Sequence, residues 1–421
     1  MSYVVKQLNQ EWQFMLKQKY ILVLFVCTLL LSGFSVYSGL SEINQQKNTI
    51  ERLKTADLTD RTIAQQSHDD PGSIAYYSFH LTYLAPSNIA FAALGERDVY
   101  PWKHRIRMLA LEGQIYESDS QNAELAQAGK FDFVFVISVL APLLILLLFH
   151  DLFASERTSG RYDLLVVTAR STFIFWLARS TIRFLAIFTC LMVPLYIGAW
   201  ISNASIAEVI FLTLCSFCYL VFWAILSIWW DKHSNSAPKI ASGLIGVWVL
   251  FVFIIPIMGD LAINKIVHSP KGGDIVLTQR EAVNDAWDLP KETTMDKFVT
   301  THPQWKNNTE MQSMFEWKWY YAFQQVGDQT AAPISQKYRE AARQKYKFAG
   351  YVSLISPPLL LQRYLTRMAN TDAIAAFEYE QKIRDFHKQL RLFYYPFLFI
   401  KTDFDKHQLS KIPSFDDVTH Q

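Results

Sequence analysis

The chain is 421 residues long, 51% hydrophobic and 15% aromatic, with only 19% charged residues, below the roughly 25% of an average soluble domain; this excludes a disordered chain. Forty Lys and Arg against 38 Asp and Glu leave a formal charge of +2, so no whole-chain electrostatic footprint points to nucleic acid. Mean hydropathy near zero then requires apolar spans offset by sizeable water-exposed parts of the same chain.

A bilayer core of roughly 30 Å needs about 20 apolar residues in a helix, and five stretches qualify. Residues 1–19 come first, with Val5, Leu8, Trp12, Met15 and Leu16 near one helical face and Lys6 and Lys17 elsewhere, the pattern of an interfacial elbow helix. The first span, 20–40, lacks a signal-peptide cleavage pattern and is expected to stay as an anchor. In the polar segment 41–130, Ile43, Ile50, Leu53 and Asp57 fall on a heptad-like stripe that predicts an outward continuation of that helix. Asp69, Asp70, Pro71 and Gly72 mark a turn, and the aromatic block from Tyr76 to Trp102 predicts a packed subdomain resting near the lipid surface.

Spans are then expected at 131–149, 184–201, 209–230 and 240–263, making 131–263 a four-span region. Pro142, Pro194 and Pro256 lie inside spans and read as kinks, because neighbouring helices satisfy the backbone groups a proline frees. Residues 264–421 predict a second polar domain, largely helical. Met311, Phe315, Lys318 and Ala322, with Met314, Trp319 and Phe323, suggest one helical face; Tyr379, Ile383, Phe386, Leu390 and Phe393 form a cleaner one. The stretch 351–361, broken by Pro357 and Pro358, is suited to lying against the membrane. Residues 390–400, with Pro396, are too short to cross and are expected to be interfacial or packed on the bundle.

Orientation follows the short loops. Lys6, Lys17 and Lys19, then Arg157, Arg161, Arg170, Arg179 and Arg183 in the 151–183 connection, then Lys232 and Lys239, all fall on one side, whereas the opposing loop 202–208 has no Lys or Arg. The N-terminus is therefore expected in the cytoplasm and both long polar segments outside it.

Little else suggests chemistry. The four cysteines, Cys27, Cys190, Cys215 and Cys218, lie in apolar runs, so the C-x-x-C they contain reads as helix packing. The ten histidines, His150 and His302 among them, show no metal-ligand spacing. There is no Walker A sequence, no G-x-S-x-G elbow and no Rossmann glycine pattern. Asp132 and Asp260 lie near span ends without an acid–base pair. No catalytic residue, cofactor or metal is expected, and the chain is not expected to hydrolyse ATP.

The connection after the second span reads Leu152-Phe-Ala-Ser-Glu156-Arg157-Thr158-Ser159-Gly160-Arg161-Tyr162-Asp-Leu-Leu165. It resembles the cytoplasmic loop of type-2 ABC exporter permeases, where an E-R-E-x-G-T pattern precedes a Leu-Leu pair and a coupling helix that meets the ATPase subunit. Glu156, Arg157 and Gly160 match; Thr158 stands for the second acid and Arg161 for the Thr. Gly95-Glu96-Arg97-Asp98-Val-Tyr-Pro101, Gly129-Lys-Phe131-Asp132 and Leu140-Ala-Pro142 resemble further stations of a permease subfamily related to multicopper-enzyme-maturation components and containing a large outer domain of unknown function. Leu354-Ile-Ser356-Pro357, Thr371-Asp372 and Pro413-Ser-Phe415 resemble its outer landmarks.

The five apolar stretches and the helical periodicities predict a mainly α, polytopic membrane helix bundle of five spans with a largely helical extracytoplasmic domain; the resemblance implies a place in the bacterial inner membrane. It implies Glu156, Arg157, Gly160, Arg161 and Tyr162 as the ATPase-coupling loop, with Glu156 and Arg157 as polar contacts or caps and Gly160 permitting the turn. The implied partners are a separate ABC ATP-binding subunit, membrane lipid, and a second permease chain as homodimer or heterodimer. Relatives continue into a last span after the Pro413-Ser-Phe415 landmark, so a longer partner chain is an attractive complement. The alternative from another class is a non-transporting envelope scaffold or signal-transmitting membrane protein.

Overall fold

The computed structural model describes residues 3–117, 131–233, 236–400 and 404–419. Five helices are long and apolar enough to cross a bilayer, one at each predicted span, and the chain is a mainly α, multi-pass membrane protein. After helix α1 (Tyr3–Leu16), α2 (Lys19–Ser67) runs without a break for 49 residues, about 70 Å at the α-helical rise. Its apolar half is long enough to cross and its polar half continues into the polar domain, burying Ile43, Ile50 and Asp57 of the predicted stripe. Asp70 then caps α3 (Pro71–Tyr77), accepting from Ser73 N at 2.8 Å.

A short antiparallel pair follows, β1 (His80–Tyr83) with β2 (Lys103–Ile106), His80 opposite Ile106; α4 spans Leu111–Tyr116. The segment between the strands departs from the lipid-surface expectation. Ile89 to Leu94 are fully buried and share one core with the membrane helices. Room for this insertion comes from glycine: a Cβ on Gly39 would sit 1.9 Å from Phe91 O, and one on Gly198 would meet the Phe91 ring at 2.7 Å. The backbone is tied in by Val134 N donating to Ala92 O and by Leu94 N donating to Asp132 Oδ2.

The remaining spans are α5 (Phe133–Thr158), α7 (Thr172–Ser202), α8 (Ile206–Lys232) and α9 (Ala237–Ile266), with a short α6 (Tyr162–Thr168) between α5 and α7. The helices run through Pro142, Pro194 and Pro256. Two of these prolines follow directly on π-helical turns, Val136–Leu140 and Leu250–Ile254. Pro142 has no N–H for the Ser138 carbonyl, and Tyr219 Oη of α8 donates to that carbonyl at 2.5 Å. Trp248 Nε1 of α9 likewise donates to Val139 O at 3.0 Å. Neighbouring helices thus satisfy carbonyls at the π-helical turn and proline of α5.

The second polar segment folds as α10 (Gly272–Asp288), α11 (Lys291–Thr301), α12 (Trp317–Ser353), α13 (Pro357–Met368), α14 (Ala373–Phe399) and α15 (Phe415–Thr419). The face from Met311 onward begins only at Trp317; Met314 and Phe315 are exposed on the preceding loop, while Trp319, Ala322 and Phe323 are buried. The α14 stripe buries Tyr379, Ile383, Phe386 and Leu390. Residues 390–400 neither cross nor touch the bundle core: they complete α14, and Tyr394, Tyr395 and Phe399 enter an aromatic core with Phe298, Trp319 and Phe323. In the stretch 351–361, Tyr351, Leu354 and Ile355 are exposed, whereas Leu361 and, beyond the stretch, Leu365 of α13 join the core of the membrane bundle. There Ser356 Oγ donates to Phe251 O and Gln362 Nε2 donates to Ser138 Oγ, one bond to each π-helical turn.

The two polar segments make one folded unit. Asp328 of α12 accepts from the Leu111 and Glu112 amides of α4 and from Gln279 and Arg391. Glu112 receives a two-pronged Arg384, both contacts at 3.0 Å, and the Ser335 hydroxyl. Burial alone would raise the Glu112 carboxyl, but Arg384, Ser335 and Arg339 outweigh it and hold it below the usual range; burial keeps Asp328 above it.

Candidate functional site

At the end of the bundle away from the polar domain, the last turn of α5 covers Ala154–Thr158. The helix is interrupted at 150–153 before this last turn, and Asp231, fully buried at the end of α8, accepts from the freed amides Phe153 N at 2.6 Å and Ala154 N at 3.1 Å, a carboxylate on the N–H groups that a restarting helix leaves unpaired. The turn closes with Arg161 N bonded to Glu156 O and Gly160 N bonded to Arg157 O, the paired bonds of a Schellman motif. Gly160 takes the left-handed conformation this motif needs, φ +70°, with nothing within 4 Å of a notional Cβ. A glycine is therefore required here by backbone geometry and not by crowding.

Glu156, 4% exposed, accepts from Arg179 Nη1 and Arg161 Nε, each at 2.9 Å. Arg179 in turn donates Nε to Glu11 Oε2 at 2.7 Å and Nη2 to Glu11 Oε1 at 3.4 Å. Its guanidinium lies over the rings of Phe14, Phe175 and Trp176 at 4.7 to 5.3 Å. One planar cation thus joins α1, α5 and α7, the fork geometry that arginine supplies and lysine does not. Arg157 reaches Lys232 O at 3.1 Å and lies over the Tyr162 ring, which stacks on Trp176. Arg183, one turn further along α7, donates to Leu148 O.

Of the five residues singled out in the loop, Glu156 is buried in this joint, Arg157 and Tyr162 brace its rim, Arg161 is its exposed arm and Gly160 turns the chain. Arg179 and Arg183 are not free loop charges, because α7 begins at Thr172 and both are buried in its first turns. Glu11 carried no signal in the sequence, where the apolar residues around it set the reading of α1; Met15 packs inward beside it while Val5, Trp12 and Leu16 are exposed. The joint supports α6, which buries no residue: Leu164 and Val167, the latter 83% exposed, project from it, and Phe173 and Leu177 are exposed on α7 alongside.

Several other stations of the resemblance meet at the opposite end, in the seam between bundle and polar domain, whereas Pro142 lies within the second span and Phe415 packs in the core around Tyr379 and Phe386. Asp132 caps α5 and holds Leu94 N. Gly95 takes φ +53°, Glu96 N donates to Thr371 O, and Thr371 Oγ1 donates to Ala93 O. Asp372 caps α14 and Ser356 caps α13. Gly129 lies outside the described residues. Cys215 is half-buried and Cys218 exposed on α8, both free, and among the described residues no cluster of His, Cys, Asp and Glu has metal-holding geometry.

Residues 275–417 match the family model described as a domain of unknown function (DUF3526). No curated protein and no solved structure matches the chain.

Proposed function

We propose that this chain is the membrane-spanning subunit of an ABC-type exporter, driven by a separate ATP-binding subunit and completed by a second permease chain. The observation that carries the reading is α6, a seven-residue helix whose apolar Leu164 and Val167 find no cover in the chain. Isolated helices shorter than about 12–15 residues are marginal in water, so such an element gains from a partner surface that covers it. Its root is the buried Glu11–Arg179–Glu156 joint, through which a push on α6 reaches α1, α5 and α7 together. That is the mechanical input a two-state bundle needs when ATP is hydrolysed elsewhere. In this reading the loop faces the cytoplasm, as the Lys and Arg bias implies, and the polar domain lies outside the bacterial inner membrane.

The test is to tag the protein, extract it gently from its native membrane and identify stoichiometric co-purifying chains by mass spectrometry. An ATP-binding subunit should be recovered with the wild type and lost with Leu164→Asp/Val167→Asp. These exposed substitutions should leave folding within about 0.5 kcal/mol of wild type. Recovery of envelope proteins alone, with no ATPase, would favour the scaffold or signalling alternative.

A further inference from the structure

In the seam, an open cavity of about 720 Å³ lies between the outer ends of α5 and α9 and helices α12, α13 and α14, within the size range of small-molecule sites. Val134, Phe135 and Ile263 wall it on the bundle side, and Leu94, Leu359 and Phe377 add apolar surface. Its charged lining is uneven in what it has to do. Asp132 is occupied with two backbone amides, and Asp372 accepts from Tyr346 Oη and Ala375 N and pairs with Arg367; Glu96 and Asp260 complete the acids. Arg363, half-buried, lies 4.1 Å over the Tyr346 ring, and among the described residues neither it nor Lys345 forms a salt bridge. A half-buried guanidinium on an aromatic face without a carboxylate partner is a receptor for an anionic oxygen group.

The α9 wall of the cavity belongs to a helix that is largely uncovered. α9, which supplies Asp260 and Ile263, is the least buried of the five spans, with 11% of its most apolar stretch covered. Ile257, Met258 and Leu261, beside those lining residues, are exposed. A molecule can therefore place a polar head in the cavity and an apolar tail along α9.

We propose that this cavity binds an amphipathic ligand, with a phosphate or carboxylate head held by Arg363 and Lys345 and an acyl-type tail laid on α9. The assignment is independent of the ATPase reading, since a signalling chain can hold the same ligand. The probe is phosphatidylglycerol with a fluorophore on its tail, titrated into the full-length protein in detergent. Binding should saturate, and unlabelled phosphatidylglycerol should displace the probe, whereas diacylglycerol, which has the tail without the anion, and glycerol 3-phosphate, which has the anion without the tail, should not. Arg363→Ala/Lys345→Ala should weaken binding roughly tenfold or more, the usual scale for losing hydrogen bonds to a charged group. Val99→Glu, placing a negative charge on a rim residue that is 72% exposed, should weaken it without touching the core, and Arg363→Lys should keep most of it. Undiminished affinity in both the double variant and Val99→Glu would overturn the proposal. Displacement by glycerol 3-phosphate alone would reduce the site to one for free anions, and equal displacement by diacylglycerol to an apolar groove; either result overturns it as well.

Discussion

Removing the Arg179 guanidinium would take from Glu11, about 6% exposed at the side chain, the cation it pairs with, and would leave Glu156, equally buried, with only the exposed Arg161. Breaking a buried pair from one side costs about 3–5 kcal/mol, because the stranded charge keeps its desolvation penalty. Arg179→Ala should therefore lower the melting temperature in detergent sharply. Combining it with Glu11→Gln and Glu156→Gln should recover part of the loss, a non-additivity that a set of separate surface contacts would not show. In the polar domain the buried histidines oppose folding in mild acid. Burial holds His80 down to about 3, His104 to about 4 and His387 well below its ordinary value. The unfolded chain binds these protons near pH 6.5, so their contribution is complete above that value and is lost as pH falls below it, by roughly 1.4 kcal/mol per pH unit for each group. Glu112, held low by Arg384, adds a further loss only at more acid pH, as the pH passes through its folded value. Melting followed from pH 7 to pH 5 should show falling stability, and His104→Gln should make the slope shallower by one proton's worth. Glu156 and Gly160 stood out in the sequence because their loop has a recognisable pattern. Glu11 did not, because its partner is 168 residues away and a lone acid on an amphipathic helix looks like any solvated charge.

At the scale of elements, the spans were legible because a helix that crosses lipid must be apolar for about 20 residues, a demand few other structures make. The 88–95 insertion was not. Its run of small and apolar residues has neither a helical nor a strand period, and its burial depends on Gly39 and Gly198 in two distant helices. The prolines signalled kinks but not the π-helical turns before Pro142 and Pro256, whose freed carbonyls find Tyr219, Trp248 and Ser356 only in three dimensions. The insertion makes a sharp prediction. The atom nearest a Cβ at Gly39 is a backbone oxygen at 1.9 Å, which cannot swing aside as a side chain would. Gly39→Ala should cost about 1–3 kcal/mol or more through overpacking, and should raise protease sensitivity between residues 84 and 102. Gly246→Ala, with nothing within 4 Å of the new methyl, is the matched control and should leave both readouts unchanged.

For the molecule as a whole, the polar domain is assembled from two segments that the membrane bundle separates in sequence. The family match covers 275–417, but the cores of that region are closed by residues outside it. Ala75 and Met108 complete the aromatic core around Phe298 and Phe323, and Ile106, Leu111 and Ile115 complete the one around Tyr379 and Phe386. Arg384 has Glu112 as its two-pronged partner, and Asp328 is satisfied in part by the amides of residues 111 and 112. Residues 272–419 alone would expose those apolar faces and leave Arg384 and Asp328 short of partners in partly closed sites, each a destabilising change of the kind that unfolds marginal domains. That fragment should therefore be helical by circular dichroism yet melt without a cooperative transition, whereas co-expression with residues 41–117 should restore a single sharp one. Cooperative melting of the fragment alone, at the same temperature as the pair, would mean that the first segment is an appendage. The expected result instead makes the first segment an integral part of the core and α2 a rigid strut: any rotation of the bundle at the α6 end would then be carried through one continuous helix into the polar domain, and the cavity at the seam between them would change shape with it.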